Sequence, residues 1–193
     1  MVLMSSTEGV YDRRQRSEML RIARASIAHG LNHGTPLPVR PGDFDPALRE
    51  LRATFVTLNR DGRLRGCIGM LEAHRPLIQD VAENAYSAAF RDPRFPPLST
   101  SEFDELALHV SVLSPSAAMQ FDSEADLLRQ IRPAIDGLIL SDATHRGTFL
   151  PSVWEQLPTA ELFLTHLKQK AGLAPDYWSD TLQVRRYTTE SFS

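Results

Sequence analysis

The sequence predicts an α+β fold built from largely antiparallel sheets packed with helices. Strand-like segments come in pairs joined by short polar turns. Helical segments lie between those pairs without regular βαβ alternation. The 193 residues contain no internal repeat. At about 100 to 200 residues per domain they suffice for one domain, or for one with a small lobe packed against it.

The elements follow in order. Residues 12–29 carry Leu20, Ala23 and Ile27 at helical spacing, with Met19, Ile22 and Ser26 beside them, and Gly30 suits the position just past a helix end. This reading leaves His29 and His33 on either side of the helix end and so argues against a preformed zinc face. Residues 31–46 hold Pro36, Pro38, Pro41 and Pro46 with Gly34 and Gly42, and read as an extended loop.

Phe55 to Leu58 and Arg63 to Met70 read as two strands of a hairpin turning at Asp61 and Gly62. Pro76 opens a helix whose apolar face runs from Leu77 through Ala89 and stops at Asp92 and Pro93. A strand follows over residues 106–113, then a short helix over 123–131. Two strands around Leu138 and Thr148, a helix capped by Thr159, and a last strand over 182–187 complete the chain.

Hydrophobic residues make up 42% and charged residues 23%. Those fractions exclude disorder, collagen-like repeats and coiled coil. A net charge of −3 removes the electrostatic footprint of a dedicated duplex-DNA binder. The single cysteine, Cys67, excludes an internal disulfide and any cage built from several thiolates. No apolar run approaches the length a membrane helix needs, and residues 1–7 lack the pattern of a signal peptide. The expectation is a soluble cytoplasmic protein with no membrane contact.

The segment from Leu64 to Gly69 concentrates the chemistry. Strand parity places Arg63, Arg65 and Cys67 on one face and pairs Cys67 with Val56. Guanidiniums beside a thiol raise its thiolate fraction, which a nucleophile requires, whereas a buried cysteine is simply a small hydrophobe. Gly66 and Gly69 permit a ligand or another backbone to come close. Asp80, Glu83, Asn84 and Ser87 share one helix face, so Asp80 and Glu83 become candidates for proton transfer or ligand contact. Arg91, Arg94 and Phe95 sit in a loop stiffened by Pro93, Pro96 and Pro97, a composition suited to an anion or a ring. The hydrolase elbow, the Walker loop and the dinucleotide fingerprint are all absent.

Five segments together resemble the AMMECR domain family. They are Leu64 to Gly69, Ala88 to Phe95, Val110 to Ser114, Gly147 to Pro151 and Lys170 to Leu173, and they occur in the family's order. The family's bacterial and archaeal members are called protein A of the AmmeMemoRadiSam system. The sequence departs at Ser152, where the family usually has glutamine. The resemblance implies a single domain over residues 1–193, with a larger and a smaller lobe, a cleft between them, and a site around Arg65 to Gly69. It also implies Memo-like and radical S-adenosylmethionine proteins as partners, and it names no cofactor.

The resulting expectation is an enzyme, or a catalytic accessory of a modification pathway, with Arg65 orienting an anionic group. Cys67 and Glu83 are its candidate catalytic residues. Arg65, Gly66, Gly69, Asp80 and Arg94 are its candidate ligand contacts, the ligand is a small molecule or RNA, and no metal is expected. The alternative is an adaptor without chemistry that binds RNA or protein through arginine-rich surfaces such as the outer side of the first helix.

Overall fold

A computed structural model describes residues 9–193, so the signal-peptide reading of residues 1–7 lies outside the described residues. The chain divides into two compact units, Met1–Leu113 with Glu190–Ser193, and Ser114–Thr189. Together they are an α+β fold with two antiparallel four-stranded sheets. Among the described residues no helix is long and apolar enough to cross a membrane.

In the first unit, α1 spans Arg13–His33 and starts at a reciprocal cap in which Asp12 Oδ1 accepts from Gln15 N and Gln15 Oε1 accepts from Asp12 N. It does not end at Gly30. That glycine lies inside the helix, where a Cβ would collide with the Phe90 and Tyr86 rings. The helix runs one turn further and closes on Gly34 at φ 70°, the left-handed conformation that favours glycine.

Strands β1 (Thr54–Arg60) and β2 (Arg63–Gly69) form the expected hairpin about Asp61 and Gly62. Next come α2 (Leu77–Phe90), with Pro76 as its cap residue, and α3 (Thr100–Phe103), a single turn that the sequence reading missed. Then β3 (Leu106–Leu113) pairs with β1 on the side away from β2, and the final strand, Thr189–Phe192, completes the order. Val56, Leu58, Leu108 and Val110 alternate onto one sheet face and join Ile27, Ile78 and Val81 in a core closed by the two long helices. The proline-rich stretch after α1 is not wholly irregular, since it contains 3-10 turns at Pro41–Asp43 and Pro46–Arg49.

In the second unit, β4 (Ala117–Ala118), α4 (Glu124–Gln130), β5 (Gly137–Asp142), β6 (His145–Phe149), α5 (Ala160–Lys170) and β7 (Gln183–Tyr187) surround a second core. The strand order is β4, β7, β5, β6, and Thr189–Phe192 is β8. Trp154 stacks on Phe163 with centroids 3.9 Å apart, and its indole N–H donates to Asp136 O at 2.7 Å. A buried indole thereby keeps a partner for its one polar atom. Lys168, in the last turn of α5, is fully buried and paired with Glu124 at 2.7 Å.

Candidate active site

A two-residue turn with unbroken pairing puts Cys67 opposite Val56. The structure instead pairs Leu58 with Gly66 and Asn59 with Leu64, so Arg65 is an extra residue bulged out of β2. Beyond the bulge every partner shifts by one, and Cys67 faces Thr57. The expected shared face of Arg63 and Cys67 is therefore overturned. Arg63 pairs with Arg60 on one parity, while Cys67 pairs with Thr57 on the other.

This register sorts the hairpin into two faces. Gly66 points at α2, where a Cβ would collide with Ala88 O, so its lack of a side chain serves close packing of strand on helix. A Cβ at Gly69 would run into Thr54 O and the Phe55 ring, again a place filled by the protein itself. Cys67 points to the opposite face and is half-buried. There Thr57 Oγ1 donates to Cys67 Sγ at 3.3 Å, and His109 of β3 stands directly opposite Thr57 in register. Thiol, hydroxyl and imidazole thus form one row across three strands, with opposed Cβ atoms about 5 Å apart.

The outer edge of β2 is closed by the loop after α2. Cys67 N donates to Asp92 Oδ2 at 2.9 Å, and Arg94 Nη2 donates to Cys67 O at 3.3 Å. Arg94 also grips Asp92 with Nε at 2.9 Å and Nη2 at 2.7 Å. That fork, helped by the Cys67 amide, holds the Asp92 carboxyl well below the usual carboxylate range. The pair satisfies backbone groups that an edge strand otherwise leaves open. The Arg94 side chain remains 54% exposed, so a cation flanks the cysteine within reach of solvent.

The bulge turns Arg65 away from the thiol, which overturns the expectation that it orients a ligand there. Its Nε and Nη2 donate to the two oxygens of Glu102 at 2.7 and 3.1 Å, and Nη2 also donates to Pro96 O at 3.0 Å. The guanidinium carbon lies 5.8 Å from the centre of the Phe95 ring, within range of a cation–π contact. Arg65 brings the Glu102 carboxyl down to about 2, with the Ser99 amide assisting. Arg65 and the Phe95 ring are thus engaged with the protein itself.

The carboxylates of α2 are not gathered at Cys67. Asp80 and Asn84 belong to a stripe expected to face solvent or a cleft, yet they are 1% and 3% exposed. Asp80 Oδ2 accepts from Thr54 N, Thr54 Oγ1 and Asn84 Nδ2, while Oδ1 takes Arg75 Nε at 3.0 Å. Burial pushes the Asp80 carboxyl up, against the pull of Thr54 and Arg75. Glu83, on the same helix, approaches Arg75 at 3.8 Å. Because Cys67 projects from the sheet face opposite α2, neither carboxylate reaches the sulfur.

The sequence reading missed Thr57, Asp92, Glu102 and His109. Only strand parity hinted at Thr57 and His109, and the bulge decides which residue they accompany. Among the described residues no group of three or more His, Cys, Asp or Glu side chains gathers to hold a metal. The second unit has a cavity of about 450 Å³ bordered by Met119, Phe121, Trp178, Leu182 and Arg185. Trp178 is half-buried at its wall with its ring edge-on to Phe121.

The AMMECR1 family model matches residues 20–192. The chain is 39% identical over 180 residues to a protein of Methanothermobacter thermautotrophicus, covering 90% of this chain and 91% of that protein. It is 34% identical to protein MJ0810 of Methanocaldococcus jannaschii, covering 100% of this chain and 92% of the relative. The fold superimposes on the crystal structure of protein PH0010 from Pyrococcus horikoshii with a TM-score of 0.80 at 36% identity, over 90% of this chain and 88% of that one. The family match spans β1, β2, the clamping loop and β3, so the site just described sits wholly within it, and the chain belongs to the AMMECR1 family.

Proposed function

We propose that the protein is an enzyme, or a catalytic accessory of a modification pathway, that uses the Cys67 thiol on a small anionic substrate. The observation carrying this reading is the row of Cys67, Thr57 and His109 on one half-buried sheet face, with the Arg94 guanidinium beside it. The Thr57 hydroxyl donates to the sulfur, which favours the thiolate, and His109, opposite Thr57 in register on the same face, is the base proposed to take the thiol proton. Arg94 draws the anion.

Asp80 and Glu83 leave the catalytic proposal, and Gly66 and Gly69 enter it as packing positions. The cytoplasm, which keeps thiols reduced, is the compartment this chemistry requires. Memo-like and radical S-adenosylmethionine proteins remain the proposed partners, tested by co-purification. The adaptor reading has less support. Of the arginines on the outer side of α1, Arg16 pairs with Glu190, Arg21 with Glu18, and Arg24 donates to Leu106 O.

The test compares two alkylating reagents on the folded protein, anionic iodoacetate and neutral iodoacetamide. An electropositive site favours iodoacetate, and Arg94→Gln lowers the ratio of the two rates while circular dichroism stays unchanged. A ratio identical in the two proteins overturns the anionic preference.

A further inference from the structure

The same extra turn that carries α1 past Gly30 places two imidazoles where the sequence reading expected none to converge. His29 and His33 lie one turn apart on one helix face, with ring centroids 4.4 Å apart and planes inclined by 35°. His29 Nδ1 is 2.8 Å from Thr35 O. A carbonyl oxygen only accepts, so Nδ1 is the donor in this contact and, in the neutral imidazole, Nε2 is the nitrogen that carries the lone pair. Metal-binding histidines commonly have this arrangement, in which a backbone carbonyl fixes tautomer and ring orientation.

The backbone beneath the pair is also held. Gly34 N donates to Gly30 O at 2.8 Å, and Tyr86 Oη donates to Gly34 O at 2.6 Å, which ties the end of α1 to α2. His29 is half-buried and His33 is exposed, so an ion has access.

We propose that His29 and His33 form a two-imidazole site for a divalent transition metal such as zinc, nickel or copper, with water in the remaining positions. Imidazole suits these ions and not magnesium or calcium. Tetrahedral zinc with nitrogens at about 2.0 to 2.1 Å needs the two donors about 3.3 Å apart, and two imidazoles one helical turn apart on the same face, with centroids 4.4 Å apart, are spaced on that scale. The site is independent of the Cys67 proposal, because it lies on α1 and uses none of that row.

The test is titration of the protein with zinc chloride in a non-coordinating buffer, followed by calorimetry. The wild-type chain binds one zinc ion, and His33→Ala and His29→Gln each weaken binding at least about tenfold. Cys67→Ser retains the binding, which separates these imidazoles from the thiol. Both histidine variants keep the wild-type circular dichroism. Zinc binding unchanged in both histidine variants, or absent from the wild type at millimolar zinc, overturns the proposal.

Discussion

The two faces of the β1 and β2 hairpin follow opposite rules. On the face toward α2 the polar groups are sealed inside the fold. Asp80 is surrounded by Thr54, Asn84 and Arg75, and Gly66 touches the Ala88 carbonyl. On the opposite face and the outer edge, Cys67 is half-buried, and the loop that closes the edge leaves Arg94 partly in water. Two aspartates report the contrast. Asp80 and Asp92 are 1% and 4% exposed, yet burial raises the first while the Arg94 fork lowers the second. Both have lost direct contact with solvent, and they differ in depth and in donors. Asp80 lies between strand and helix with mostly neutral donors and a single guanidinium nitrogen. Asp92 lies at the sheet edge, where a bidentate guanidinium and two amides outweigh a smaller desolvation cost.

Substitutions on the sealed face should cost most. Gly66→Ala forces a methyl against a backbone carbonyl that cannot turn aside. The expected loss is about 3 kcal/mol, read as a lower urea midpoint at unchanged slope. Full stability in that variant would show that strand and helix separate easily. Asp92→Ala comes next, since it removes the partner of the Cys67 amide and of the Arg94 fork. Leaving those donors unmatched costs about 2 kcal/mol, measured in the same urea titration.

Acid titration sharpens the contrast between the aspartates. A carboxyl lowered by folding contributes stability above its unfolded value of about 3.9 and loses it as pH falls through the folded value. The gap between wild type and Asp92→Asn should therefore hold from pH 7 to about pH 4 and narrow below that. Asp80, raised by folding, has the opposite sign. The wild type should gain on Asp80→Asn as pH falls through the raised folded value. Melting temperatures across pH check both, and parallel curves for the two variants would erase the distinction. The smallest expected effect is that of Thr57→Val, which removes one hydrogen bond to sulfur. Its cost is about 0.5 kcal/mol, and it should change the rate of thiol alkylation more than the urea midpoint.

Much of this architecture was legible in the sequence because it rests on periodicity and local turn chemistry. Alternation located β1, β2 and β3, and the Asp61 and Gly62 turn was read at its correct place. The failures have tertiary causes. Gly30 and Gly34 are both plausible helix ends, and contact with Phe90 assigns the first to packing. A stripe of Asp80, Asn84 and Ser87 looks solvated until the buried Thr54 supplies partners for its first two members. The bulge at Arg65 leaves the residue pattern of β2 intact while reversing the parity of Cys67 against β1, so no count along one strand reveals it. Cys67 and Arg94 were found from composition, but Thr57 and His109 required the register.

The account depends on the Cys67 sulfur being reachable on the outer sheet face of the folded protein. Iodoacetamide labelling of the native chain, followed by mass spectrometry across pH, tests this directly. The account predicts labelling without denaturant, slowed by His109→Gln at neutral pH. A thiol that reacts only after the chain is unfolded would contradict it.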